Sequence, residues 1–197
     1  KLALNLFSRA ISRGASKLLA LSFRHMSDDY GRRIKVVPPL LRSEVLAMRE
    51  SPEFRTGDYI LGYMLNAGFA EEVLSWHESH PEISLHFFWD NANEGPVKVV
   101  DKTLSFYYLD DKEFIRQMAG CRAYASTAGF ESICEAMYLG KPLMMVPSHI
   151  EQKCNAFDAT KYGAALESDT FDLSRLLEFE RGGFHRDDAF PEWARSA

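Results

Sequence analysis

The chain has 197 residues, 46% of them hydrophobic and 26% charged, with a formal net charge of -5. That length suits one domain, or one and part of another, and it can bury a core without disulfides or metal. The composition excludes a disordered tail, a collagen-like repeat and a disulfide-stapled miniprotein, and the acidic charge speaks against a general nucleic-acid binder, which carries a basic face.

Three cysteines, Cys121, Cys134 and Cys154, make no CxxC pair and no Cys/His cluster at zinc spacing. They read as reduced, mostly buried thiols of a cytoplasmic protein. No apolar run reaches the ~18–20 residues of a membrane span.

Residues 2–15 carry a helical apolar spacing (Leu2, Leu6, Phe7, Ala10, Ile11) that stops near Gly14. Leu18 to Phe23 reads as a short buried strand, and the polar run His25 to Arg33 as a connector. Ile34 to Val37 leads into Pro38-Pro39, a pair that enforces an extended segment. The expected division is 1–33 as the end of a preceding domain with its connector, 34–57 as an interdomain linker, and 58–197 as the main domain.

From there strands and helices alternate. Strands are expected at 58–65, 84–89, 103–109, 123–126, 143–146 and 164–166. Helices are expected at 69–80, 111–119, 130–139, 150–162 and near 173–179, with Gly140 and Gly163 as stops. Short loops between alternating elements predict parallel strands with crossover helices, an α/β doubly wound sheet. Ligands of such sheets bind beyond the carboxyl ends of the strands. The loops to search are therefore 66–68, 109–111, 126–129 and 147–150.

The segment from Ser126 to Pro142 is the most informative. Phe130, Ile133, Cys134 and Met137 form one apolar stripe that faces the sheet. Glu131 and Glu135 lie four apart on another face; the spacing fits a solvated face and equally a carboxylate that accepts from a ligand diol. Gly129 precedes that helix, where free N–H groups, with Ser132, form a ready anion site. Further on, Ser148-x-x-Glu151 has the spacing of a capping box. Gln152 and Asn155 suit hydroxyl recognition, because amides donate and accept. His149 is a loop histidine. Asn66-Ala-Gly68 is no GxGxxG and carries no Walker lysine, so a P-loop or a standard dinucleotide site is disfavoured. Arg42, held after a proline pair, suits a solvated role or a bidentate phosphate contact. The aromatic runs 87–89 and 106–108 read as core.

Gly129, Glu135, Gly140-Lys-Pro142, Pro147, Glu151-Gln152 and Asn155-Ala156 together resemble the C-terminal, donor-binding domain of GT-B glycosyltransferases. Among these they are similar to the N-acetylglucosaminyltransferases that make lipid II. Pro38 to Val45 resembles the segment that enters that domain. The resemblance implies a doubly wound Rossmann-like parallel sheet, the C-terminal half of a two-domain GT-B fold. It also implies a nucleotide-sugar donor, most often a UDP-sugar.

By the same resemblance Leu109 meets the base and Glu135 the ribose. Asn66, Gly68, Thr127, Gly129, Ser132 and Arg42 meet or lie near the diphosphate. His149, Glu151, Gln152 and Asn155 lie toward the sugar. It implies hexosyl transfer without a cofactor or metal, since helix N–H groups and a positive side chain offset the leaving diphosphate. The catalytic base and the acceptor site are expected in an N-terminal half, of which residues 1–24 are the last helix and strand. On that expectation this piece binds donor, does not turn over alone and pairs with a second copy through the face left open. A lipid-borne acceptor would be met at the inner face of the membrane. Two alternatives stay open, a UDP-sugar epimerase of the same architecture and a non-catalytic nucleotide-sugar-binding module. Epimerases carry further acids and arginines near the position of Pro147, which are absent here.

Overall fold

The computed structural model describes residues 6–7, 10–51, 57–65, 67–161 and 163–197. Leu6, Phe7, Ala10 and Ile11 are helical, as their spacing predicts, while Leu2 lies outside the described residues. Strands β1 (Leu18–Leu21) and β2 (Ile34–Val37) pair in parallel and form a small sheet of their own. Helix α1 (Ser43–Glu50) follows the buried pair Pro38-Pro39. The stretch read as a linker thus carries a strand and a helix.

The main sheet contains β3 (Tyr59–Met64), β4 (Ser84–Trp89), β5 (Val97–Val99), β6 (Leu104–Tyr108), β7 (Ala123–Ser126), β8 (Leu143–Met145) and β9 (Ala165–Glu167). Its order is β5-β6-β4-β3-β7-β8-β9, parallel apart from the antiparallel edge pair β5–β6. Helices α2 (Ala70–Glu78), α3 (Asp111–Gly120), α4 (Phe130–Tyr138), α5 (Ile150–Thr160), α6 (Leu173–Glu178) and α7 (Phe190–Ala194) complete it. Strand β5 and helix α7 were not expected. Each is too short to show a period, and Pro96 before β5 reads as a turn signal.

Adjacent strand residues point to opposite faces. Leu61, Phe88 and Tyr124 join Phe114 of α3, Ile133 and Tyr138 of α4 and Ala156 of α5 in one core. Ile60, Phe87 and Phe106 join Val73 of α2 and Leu176 of α6 in the other. Both faces of the sheet are therefore covered, which explains why the fully buried strand β7 reads Ala-Tyr-Ala-Ser without polar alternation. Each large apolar side chain so enclosed contributes about 1.5–3 kcal/mol.

Gly140 ends α4 as expected. Its φ is +70°, and the N–H groups of Gly140 and Lys141 donate to Met137 and Ala136 carbonyls at 3.0 and 2.9 Å. Lys141 is buried and donates to the carbonyls of Ala119 and Cys121, both at 2.7 Å, which fastens the end of α3 beside β7.

Nearer the other edge of the sheet, also at the amino ends of the strands, Asp101 organises the turn into β6. Its carboxylate accepts from the Thr103 N–H, from His77 and from the Leu104 N–H, and these bonds hold its carboxyl well below the usual range. A carboxyl with a depressed folded pKa adds stability above its unfolded value of about 3.9, and that stability is lost as pH falls below it. Asp101→Asn is therefore expected to flatten the acid side of the stability profile. Urea midpoints from about pH 6 down to about pH 2 measure this. An unchanged acid slope would show that the turn carries no proton linkage.

Candidate functional site

The strand order reverses between β3 and β7, because the chain winds outward from β3 through β4 and then returns to β3's other side. Open α/β sheets bind ligands at the carboxyl ends of strands beside such a reversal. A cleft of about 830 Å³ opens there. Tyr63 from β3, Leu109 and Asp111 after β6, and Gly129 to Ser132 after β7 form one side. Helix α5 and the segment from Leu21 to Phe23 form the other, with Phe23 tilted against Phe130 at 4.7 Å between ring centres.

The turn from β7 into α4 is built tightly. Thr127 N–H donates to the Tyr63 carbonyl at 3.2 Å, and the Asn155 amide donates to the Ala128 carbonyl at 3.1 Å. The left-handed residue in this turn is Ala128, with φ +68°, while Gly129 has φ -64° and ψ 133°. A non-glycine residue there costs about 1 kcal/mol. Gly129 is thus needed neither for its conformation nor for internal space, since an added Cβ would meet only Ser132 Oγ at 3.8 Å. The other side of Gly129 is the cleft. No side chain caps the first turn of α4, and Ser132 Oγ donates to the Gly129 carbonyl at 3.2 Å. An uncapped helix start at a cleft is suited to an anion.

Arg42 is the N-cap residue of α1, and its carbonyl accepts from Val45 and Leu46. Its side chain grips Glu135 of α4 in a fork, Nε to Oε1 at 2.6 Å and Nη2 to Oε2 at 2.5 Å. Nη1 lies 3.6 Å from Asp111 Oδ1. The bonds to Glu135 raise the pKa of Arg42 above its already high ordinary value. Glu135 is 2% exposed and does not line the cleft. Its carboxylate is therefore not a solvated face, and both of its oxygens are occupied. Arg42 does line the cleft, and it is the one cation to do so among the described residues. Around it stand the carboxylates of Asp111, Glu131, Glu151 and Asp158.

On α5 the capping box does not form. The helix starts one residue later than that box requires, with His149 as N-cap. The residue that reaches back is then Gln152, whose Oε1 accepts from Ser148 N–H at 2.8 Å and Ser148 Oγ at 2.9 Å. Gln152 is buried and faces away from the cleft. The face presented to the cleft is Glu151, Cys154, Asn155 and Asp158, at i, i+3, i+4 and i+7.

The cleft thus brings together Arg42, Leu109, Gly129, Ser132, Glu151 and Asn155 of the expected site. It does not bring in Gly68, which lies in an exposed turn at 67–69, or His149, which is exposed at its cap position. Thr127 is enclosed, and its hydroxyl has no hydrogen-bond partner among the described residues. Asn66 lies outside the described residues. Sequence reasoning missed Cys154 and Asp158, which the i, i+3, i+4, i+7 spacing from Glu151 could have found. It also missed Tyr63 and Asp111, which border loops already singled out. Among the described residues no group of three or more His, Cys, Asp and Glu is placed to hold a metal ion, and no helix is long and apolar enough to cross a membrane.

The model of the family described as glycosyl transferase family 1 matches residues 3–181. No curated protein matches the chain by sequence. Among solved structures, the glycotransferase of kitacinnamycin superposes with a TM-score of 0.63 at 15% identity, over 91% of this chain and 51% of its own. Arabidopsis thaliana UGT89C1 complexed with UDP superposes with a TM-score of 0.54 at 18% identity, over 85% and 47%. The spinosyn forosaminyltransferase SpnP does so with 0.51 at 14% identity, over 99% and 55%. The chain spans about half the length of these structures. Their likeness establishes the fold, the doubly wound α/β sheet of GT-B glycosyltransferases. With that fold in place and a family match that runs over most of its length, the chain belongs to glycosyl transferase family 1.

Proposed function

We propose that the cleft binds a nucleotide sugar, specifically a UDP-sugar, and that the chain is the donor-binding half of a glycosyltransferase that works without a bound metal. The observation that carries this reading is the cleft at the β3/β7 reversal, with the uncapped start of α4 and, among the described residues, one cation on its walls. The diphosphate lies at Gly129 and Ser132 within reach of Arg42, the base near Leu109, and the sugar toward Glu151 and Asn155. Transfer breaks the bond between the sugar and the diphosphate and leaves negative charge on the departing nucleotide. The N–H groups of α4 and the guanidinium of Arg42 stabilise that charge where it develops. The UGT89C1 structures, solved with UDP and with UDP-L-rhamnose, support the choice of nucleotide. The acceptor and the base that activates it belong to the remainder of such an enzyme.

Calorimetric titration with UDP, with ADP and GDP as controls, tests the reading; selective binding of UDP is the expected result. Cys154 offers a second readout. It is exposed on the cleft wall, whereas Cys121 and Cys134 are buried, and burial pushes the Cys121 thiol up to about 12 and that of Cys134 well above its usual value. An alkylating reagent is therefore expected to label Cys154 alone, and a saturating UDP-sugar, whose sugar lies toward Glu151 and Asn155, to slow that labelling about tenfold. Labelling at an undiminished rate in a saturating UDP-sugar would place the sugar elsewhere.

A further inference from the structure

We infer that Tyr124 is a positioning residue for the diphosphate, on which its phenol acts through the hydroxyl of Ser132. The inference deepens the nucleotide-sugar reading of the cleft and rests on it. Tyr124 lies within β7, and its side chain is fully buried. Its hydroxyl has no hydrogen-bond partner among the described residues. Buried hydroxyls are as a rule paired, so an orphaned one calls for a cause. The hydroxyls of Ser126 and Ser132 stand beside it, near enough to favour the phenolate against the burial that opposes it. Neither closes a hydrogen bond with it.

Tyr124 and Ser126, two apart on the strand, face the side of the sheet that carries α4. The phenol thus ends beneath the first turn of that helix, beside Ser132. Ser132 lines the cleft and Tyr124 does not, so the serine stands between the phenol and the ligand. Ser132 Oγ spends its proton on the Gly129 carbonyl at 3.2 Å. That carbonyl also accepts from the Ile133 N–H at 3.2 Å, so it keeps a partner when the serine turns away. Ser126 Oγ accepts from the Ala128 N–H at 3.2 Å, which leaves its own proton for the phenol oxygen.

A serine hydroxyl has one proton and two lone pairs. With a diphosphate at the start of α4, Ser132 gives its proton to a phosphate oxygen and accepts the proton of the phenol on a lone pair. The bonds then run in one direction, from Ser126 to Tyr124, from Tyr124 to Ser132 and from Ser132 to the phosphate. The negative charge at the far end strengthens each link. No proton changes owner, because burial holds the phenol protonated. The diphosphate is what gives the phenol its partner.

Calorimetric affinities for UDP and uridine, measured on the 197-residue chain as wild type, Tyr124→Phe, Ser132→Ala and the double variant, test this. Tyr124→Phe is expected to bind UDP about fivefold more weakly, and Ser132→Ala about tenfold. The double variant is expected to stay within about twofold of Ser132→Ala, since without the serine the phenol has no path to the phosphate. Uridine, which lacks phosphate, is expected to bind every form within about twofold. The urea midpoint of Tyr124→Phe is expected at or above that of wild type, because the hydroxyl it deletes is unpaired in the fold.

The inference is overturned if either single variant leaves UDP affinity unchanged, or if the loss from Tyr124→Phe recurs in full on the Ser132→Ala background. It is overturned equally if uridine weakens as much as UDP, or if the midpoint of Tyr124→Phe falls, the mark of a phenol already bonded within the fold. Should Ser132→Ala not fold, Tyr124→Phe decides alone: UDP weakened with uridine and midpoint kept upholds the inference, and any other result overturns it. Wild type that binds no UDP overturns the nucleotide-sugar reading itself, and this inference with it.

Discussion

Replacing Arg42 with alanine is expected to abolish measurable UDP binding and to lower stability by about 3 kcal/mol. Both effects have one cause. Glu135 is buried to 2% exposure and spends both oxygens on Arg42. Without the guanidinium a charged carboxylate stays enclosed, with Asp111 and Glu131 on the nearby cleft wall. The cleft also loses its one cation among the described lining residues. A dianionic ligand would then face carboxylates and the N–H groups of α4 alone. Urea unfolding measures the first effect and calorimetry the second. Arg42→Ala combined with Glu135→Gln removes the stranded charge. This double variant is expected to regain about 1–2 kcal/mol of stability and none of the binding. A stability loss within about 0.5 kcal/mol for Arg42→Ala would mean that Glu135 finds another partner.

The second large effect is expected at Gly62, in the middle of β3. Gly62 pairs with Phe87 of β4 in register. A Cβ built on Gly62 would come within 2.1, 2.2 and 2.4 Å of atoms of the Phe87 ring. That ring is fully buried and has no room to retreat, since Phe171 and Phe106 stand 5.7 and 6.2 Å away between ring centres. Gly62→Ala is therefore expected to cost about 3 kcal/mol, at the upper end of overpacking penalties. In a protein of this size that lowers the melting temperature by about 6–12 °C. Phe87→Leu in the same chain makes space for the methyl group and is expected to restore part of the loss. A melting temperature within about 2 °C of wild type would show that β3 and β4 shift apart freely. The site shares in this outcome, because β3 carries Tyr63 to the cleft and receives the Thr127 N–H.

The elements that were legible are those whose cause is local. Strands β3, β4 and β7 are apolar runs bounded by turn residues, and they stand within a residue of the expected limits at either end. Gly140 stops α4 because a left-handed residue there completes the last turn of a helix. Alternation with short loops leads to parallel strands by the handedness of the crossover alone. From that topology follows the place of the cleft, at the ends of β3 and β7, before any side chain is positioned.

The chemistry inside the cleft was decided differently. Whether Ser148 is capped by Glu151 or Gln152 depends on where α5 starts, and a shift of one residue moves about 100° around the helix. That shift turned Glu151 toward the cleft and Gln152 into the core. Arg42 and Glu135 are 93 positions apart, and the distance was closed by packing α1 and α4 on the same face of the sheet. Neither residue carries a mark of the other. The sequence alone determined the fold class, the order of the longer alternating strands and helices and the loops where ligands are met, since those follow from periodicity, propensity and chain handedness. Only the tertiary structure decided which polar groups face the cleft and which neutralise each other behind it. Burial and pairing of charge are properties of the assembled layers, and no local stretch of chain contains them.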